Sequence, residues 1–219
     1  MGGPGGRTAW VFNKDGARNV WVSEPSGSGY AARAITSYAG DIGSDMGELA
    51  WDPSGKQVLY SFGGSLEGGG PTNIMSLPQG GPQQEIWAAP LAGGQPRLIG
   101  PGHTPVVSPK GDLVAYVLGG QIWSASLTGD AKPAQLIVDR GQAEDLAWSP
   151  DGARLAFVSK RGDHAVIGVY DVAAKRTVWM QPSLDSDGQP AWSPDSRRLA
   201  FIRIPAGAEL DVFASAGDH

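Results

Sequence analysis

Cysteine is absent from the 219 residues, which removes disulfides, thiol nucleophiles and cysteine-ligated zinc from consideration. Histidine is scarce: His103, His164 and His219 are the only three, and no two stand at metal-ligand spacing. No apolar run reaches the length of a membrane span. Basic residues do not exceed acidic ones: the formal charge is −5, which gives no support to nucleic-acid binding or to an anionic membrane surface. The opening Met1-Gly2-Gly3-Pro4-Gly5-Gly6 lacks the basic and apolar regions of a signal peptide and reads as a flexible lead, residues 1–6.

What the chain has in abundance is glycine (33) and proline (17), spread at regular intervals rather than massed, the mark of many tight turns. They punctuate a repeat. Its clearest copies are Trp148-Ser149-Pro150-Asp151-Gly152-Ala153-Arg154-Leu155-Ala156-Phe157-Val158 and Trp192-Ser193-Pro194-Asp195-Ser196-Arg197-Arg198-Leu199-Ala200-Phe201-Ile202. Looser copies start at Trp51 and Val107. Aligned on the strand after the turn, one aromatic column contains Trp10, Tyr60, Tyr116, Phe157 and Phe201, at intervals of 41 to 56 residues. A following strand gives Trp21, Trp87, Trp123, Tyr170 and Phe213, and the strand before the turn gives Trp51, Val107, Trp148 and Trp192. A short fourth strand reads Ala34-Ile35-Thr36, Arg97-Leu98-Ile99, Gln135-Leu136-Ile137 and Thr177-Val178-Trp179.

A unit of this size cannot bury its own apolar face and must stack on its neighbours. Four short antiparallel strands per unit predict an all-β fold, a β-propeller of four-stranded blades with the aromatic columns wedged between them. About five blades are present, near 7–40, 45–100, 103–140, 143–182 and 188–219, so residues 7–219 read as a partial propeller. The first unit lacks a clear first strand, and the last has three strands, ending in Glu209-Leu210-Asp211-Val212-Phe213. Five incomplete units either close as a small ring or belong to a larger one, and their unfinished ends favour the incomplete ring. A glycine- and proline-rich insertion from about Phe62 to Gln84 predicts a mobile surface loop.

In Ser-Pro-Asp-Gly, proline presets the second turn position, glycine supplies a left-handed residue, and the aspartate accepts backbone N–H groups. Asp151, Asp195 and Asp52 are therefore expected to be structural, as are Trp51, Trp148 and Trp192. No serine satisfies the Gly-x-Ser-x-Gly elbow of a serine hydrolase; Gly63-Gly64-Ser65-Leu66-Glu67 fails at its last position. Gly68-Gly69-Gly70-Pro71 lacks the lysine and Ser/Thr of a phosphate loop, and Arg161-Gly162-Asp163 falls where two strands must turn. No catalytic residue, metal ligand or cofactor site is expected. Acidic groups do recur: Asp41 with Asp45, Glu144 with Asp145, and Asp185 with Asp187. The last two pairs precede a unit's first strand, on loops that gather at one face of a propeller. They are the candidate binding residues, as an electronegative mouth for a cation or a peptide amino terminus, against the plainer reading of solvated loops.

The Trp-Ser-Pro-Asp-Gly unit followed by Leu-Ala-Phe-Val resembles the WD-like propeller repeat of TolB-type periplasmic proteins and of prolyl oligopeptidase-family serine peptidases. The segments Ala9-Trp10-Val11-Phe12-Asn13, Asn19-Val20-Trp21-Val22, Gln121-Ile122-Trp123, Leu155 to His164 and Trp192 to Pro205 are most similar to the propeller of the dipeptidyl-peptidase IV branch. That resemblance implies a gating and scaffold domain ahead of a C-terminal α/β-hydrolase domain, with short peptides as substrate. Neither the hydrolase domain nor the adjacent Glu-Glu pair of that branch is found here, so no family catalytic residue maps onto this chain. The resemblance further implies a periplasmic or secreted protein where a signal precedes Met1, and a cytoplasmic one otherwise. The alternative it carries is a free-standing TolB-like propeller that binds a protein partner.

Overall fold

The computed structural model describes residues 1–40, 45–64, 84–129 and 131–207. Within them the chain is nearly all β, with seventeen strands arranged as successive antiparallel sheets. Blade I holds β1 (Thr8–Lys14), β2 (Ala17–Ser26) and β3 (Gly29–Ala34). Blade II holds β4 (Met46–Trp51), β5 (Gln57–Phe62), β6 (Glu85–Pro90) and β7 (Arg97–Pro101). Blade III holds β8 (His103–Val107), β9 (Leu113–Leu118), β10 (Gln121–Ser126) and β11 (Ala134–Ile137). Blade IV holds β12 (Gln142–Trp148), β13 (Arg154–Lys160), β14 (Ala165–Asp171) and β15 (Arg176–Trp179). Blade V shows β16 (Ser186–Trp192) and β17 (Leu199–Ile204), tied to blade IV by one parallel pair, Ala165 with Ser186. The expected third strand of the last unit, Glu209–Phe213, lies outside the described residues, as does most of the expected 62–84 loop.

Each core cluster is a joint between consecutive blades. Tyr60 and Val58 of blade II pack with Ala9, Val20 and Val22 of blade I. Tyr116 and Val114 of blade III meet Leu59 and Ala88 of blade II. Phe157 and Leu155 of blade IV meet Ala115 and Val117 of blade III, and Phe201 and Leu199 of blade V lie on Val158 and Ile167 of blade IV. The second strands of blades II, III and IV are thus buried on both faces, which is why they read as near-continuous apolar runs. Tyr60, Tyr116 and Phe157 are fully buried, each contributing about 1.5–3 kcal/mol through apolar area removed from water. No such cluster joins blade V to blade I among the described residues, so the ring is open.

Two sequence expectations change. The third-strand column holds for Trp21, Trp87 and Trp123, which pair with Trp10, Tyr60 and Tyr116. In blade IV, however, Phe157 pairs with Gly168, and Tyr170 stands opposite Leu155. Trp179 of β15 fills the space, meeting the Phe157 ring edge-on at 5.7 Å. The first six residues, expected to be a flexible lead, fold back instead. Met1 pairs with Ala9 through hydrogen bonds of 2.6 and 2.9 Å, Gly2 bridges Thr8, and Pro4–Gly6 form a short 3-10 turn. Met1 and Gly2 thereby occupy the last two positions of an innermost strand, the places that Ala147 and Trp148 take in blade IV. The connection that follows, Gly3-Pro4-Gly5-Gly6-Arg7, is one residue shorter than the Ser149–Arg154 connection of blade IV. A side chain at Gly3 would strike the Trp51 indole, so only glycine fits there.

Candidate functional site: the rim of the innermost strands

The innermost strands β4, β8, β12 and β16 pack side by side in chain order. Each carries a bulge at a fixed place, three residues ahead of the Trp/Val column. The bulged residue has a positive φ: Glu48 (47°), Thr104 (54°), Asp145 (48°) and Gln189 (54°). A left-handed conformation is unfavourable for a side chain with a Cβ, so something must hold it. Glu48 shows what does. Its carboxylate accepts the Thr104 N–H at 2.7 Å, the Thr104 hydroxyl at 3.0 Å and the buried Ser61 hydroxyl at 2.6 Å. His103 lies 4.0 Å away. Asp145 repeats the link two joints later, between blades IV and V, accepting the Gln189 N–H at 3.0 Å. At the II–III and IV–V joints the bulged carboxylate thus reaches the backbone of the next blade's bulge.

Beside this ladder a depression of about 190 Å³ opens between blades IV and V, lined by Glu144, Asp145, Lys160, His164, Asp187 and neighbours. Of the four candidate binding residues, the structure brings Glu144, Asp145 and Asp187 to this one place. Their situations differ. Glu144 is half-exposed and 3.5 Å from Lys160, and Asp145 is exposed. Asp187 has a fully buried side chain, clamped by Arg203 through bonds of 2.6 and 2.8 Å. Asp185 is outside the lining and accepts the Ala206 N–H at 2.9 Å and the Ser183 hydroxyl at 3.0 Å, which hold its carboxyl below the usual range. Arg203 also donates to the Gln181 carbonyl. Neither Asp185 nor Asp187 is a free rim charge; they order the approach to β16. His164 bonds the exposed Asp163 at 2.7 Å, which lowers that carboxyl, at the reversal from β13 to β14 that Arg161-Gly162-Asp163 forms. Asp41 and Gly68–Pro71 lie outside the described residues.

The tryptophans before the turn fix the blades by their indole N–H groups. Trp148 donates to the Val106 carbonyl (3.1 Å), Trp192 to Ala147 (3.0 Å) and Trp51 to Met1 (3.3 Å), each on the innermost strand of the preceding blade. In the turns, Ser149 donates to Asp151 and Ser193 to Asp195, both at 2.6 Å, and those carboxylates accept the Ala153 and Arg197 N–H groups. Asp52 and Ser54 exchange places, the serine donating to the aspartate at 2.5 Å. Ser196 adopts φ 60° where three other copies have glycine, and its hydroxyl accepts the Asp151 N–H, tying turn V to turn IV. The serine hydroxyls are the first cause, and the backbone N–H groups the second, of the lowered carboxyl values at Asp151 and Asp195. A folded value below the unfolded one of about 3.9 stabilises the native state above that pH, and the gain is lost as pH falls through the lowered value. The melting temperature should therefore fall more steeply below about pH 4 in the wild type than in an Asp151→Asn, Asp195→Asn double variant; parallel curves would disprove the assignment.

The sequence reading passed over Glu48, His103 and Thr104. The signal for Glu48 and Thr104 is the column three places before the Trp/Val position, polar in every copy; His103 stands one place ahead of it. Among the described residues no group of three His, Asp or Glu side chains could hold a metal ion, and no helix is long and apolar enough to cross a membrane.

Stacked four-stranded sheets with aromatic joints define an open β-propeller domain. Solved structures with this architecture include TolB from Acinetobacter baumannii, with a TM-score of 0.62 and 20% identity over 92% of this chain and 48% of that one. A putative TolB from Agrobacterium tumefaciens gives 0.58 and 20% over 95% and 70%. One of two prolyl endopeptidases studied for inter-domain dynamics in catalysis gives 0.64 and 14% over 86% and 30%. The chain thus spans about half the length of the first and under a third of the last. No protein-family profile and no curated protein sequence matches it.

Proposed function

We propose that this chain is the non-catalytic propeller of a serine peptidase, which limits access to short peptides and draws in their charged amino termini. The hydrolase chemistry would reside in a domain outside these residues. One observation carries the reading: the exposed Glu144 and Asp145 stand on an innermost strand at a depression where the nearest cation, Lys160, is only loosely engaged. An ammonium group placed there gains from both carboxylates, an attraction that weakens with salt. The overlap with a prolyl endopeptidase propeller supports it at the level of fold.

Calorimetric titration with a short X-Pro peptide tests the reading. The free-amine peptide should bind, its N-acetylated form should bind more weakly, and Glu144→Gln with Asp145→Asn should abolish the difference. The chain alone should not hydrolyse X-Pro or X-Ala substrates. Equal binding of both peptides by both proteins would remove the proposal.

The second reading, a free-standing propeller that binds a protein partner, is favoured by the overlap of two TolB structures with more than nine-tenths of the chain. The reading frame beyond His219 separates the two. A Gly-x-Ser-x-Gly segment supports the peptidase, and a stop after one or two further blades supports the binding module.

A further inference from the structure

We propose that the turn side of blades I to III, opposite the rim, carries a second binding site: a cationic groove that takes an extended acidic segment of a protein partner.

Two depressions make the groove. One, of about 520 Å³, lies between the Asp52-Pro53-Ser54-Gly55 turn of blade II and the Lys110-Gly111 turn of blade III, with Lys56 and Lys110 among its walls. The other, of about 400 Å³, lies between blades I and II, with Glu24, Arg33 and Lys56 among its walls. Lys56 is common to both, so they form one run across two joints. Apart from position 130, the described chain breaks only at the opposite, rim end of the blades, at Gly40, Asp45, Gly64, Gln84 and Gly207.

The carboxylates in the groove are already engaged. Glu24 is held by Arg7 at 2.9 Å and by Arg33 at 3.0 Å, and those hydrogen bonds keep its carboxyl below the usual range. Asp52 is buried and accepts the Ser54 hydroxyl and N–H within its own turn. Lys56 and Lys110 are exposed, and among the described residues neither forms an ion pair. Lys110 comes within electrostatic reach of Asp151, but the Ser149 hydroxyl and the Ala153 N–H hold that carboxylate. Arg7, Arg33, Lys56 and Lys110 thus outnumber Glu24 and Asp52, and a positive potential remains over the groove. In a chain of net charge −5 this excess is local.

The surface between the cations selects the ligand. Pro53, Pro90, Leu91 and Ala92 set apolar walls beside them, which match a peptide that mixes carboxylates with apolar side chains. Among the described residues no aromatic side chain lines either depression, so the stacking platform of a single-stranded nucleic acid is missing. The overall negative charge also repels a long polyanion, whereas a short acidic segment feels chiefly the local field. Lysine ammonium groups on flexible stems accommodate carboxylates at several positions. The groove is on the other side of the blades from Glu144 and Asp145 and is independent of the role proposed for them.

Fluorescence anisotropy on the full 219-residue chain provides the test. The probe is a short peptide of glutamate, leucine and proline, labelled at its amino terminus so that no ammonium group is offered to the rim. It should bind, less tightly as salt is raised, and its glutamine counterpart should not. Lys56→Glu, where the two depressions meet, should weaken binding at least about tenfold, because an attraction becomes a repulsion. Lys110→Glu should act in the same direction. Lys14→Glu, the same charge change at an exposed position on the rim end of β1, should leave binding unaltered. If Lys56→Glu loses its native circular dichroism, Lys110→Glu carries the test. A wild type that does not bind, an equal loss in Lys14→Glu, or tighter binding of heparin or duplex DNA than of the peptide overturns the proposal. So does a longer polypeptide, continuing beyond His219, that no longer binds, because a segment of the same protein would then fill the groove.

Discussion

Gly168→Ala should be among the most damaging single substitutions in the molecule, lowering stability by about 3 kcal/mol, the upper part of the overpacking range. The glycine lies beneath the Phe157 ring: an added Cβ would meet ring carbons at 2.5, 2.7 and 3.0 Å. The ring cannot yield. It is fully buried, it packs against blade III on one side, and the Trp179 indole meets it edge-on on the other. Trp179 is itself covered by the Arg161 guanidinium at 4.5 Å. For a chain of this size the melting temperature should drop by about 6–12 °C. Phe157→Leu added to Gly168→Ala should recover part of the loss, because a smaller side chain opens the space the methyl needs. A double-mutant cycle with no coupling between the two sites would refute the packing account.

Glu48→Ala should cost nearly as much, about 3 kcal/mol, because a charged acceptor of three hydrogen bonds disappears at once. The Ser61 hydroxyl is left buried without its acceptor, and the Thr104 N–H loses the partner that holds β8 in its bulge. Glu48→Gln keeps an acceptor oxygen in place and should lose about half as much or less. Amide hydrogen exchange provides the local readout. Protection at Thr104 should fall sharply in Glu48→Ala, while amides in blade IV change little. Unchanged exchange at Thr104 would mean that the bulge is held by strand pairing alone and that the carboxylate is incidental.

These two sites show how far the residues alone could be read. The blade period was legible because large aromatics recur at fixed places between turn signals, and burial of such side chains depends on a simple spacing. Asp151 and Asp195 were legible for a related reason: their partners, Ser149 and Ser193, are two residues away, so the chemistry is local. Gly168 was not. Tyr170 looked like the next member of the Trp21, Trp87 and Trp123 column, and only the pairing of Phe157 with Gly168 shows that blade IV solved the same packing problem with an indole from its fourth strand. Asp187 looked like half of an exposed acidic pair. Arg203, sixteen residues on, buries it instead, and nothing in the spacing names that partner.

The amino-acid order by itself settled the repeat, the all-β class, the place of each turn and the lack of a serine-hydrolase elbow, since all of these follow from periodicity and from contacts a few residues apart. Tertiary structure alone decided which carboxylates are free and which are tied, and how Met1 and Gly2 complete an innermost strand. Those outcomes depend on groups brought together across gaps of eight to more than fifty residues, and a one-dimensional pattern does not encode which side chain will face which across such a gap.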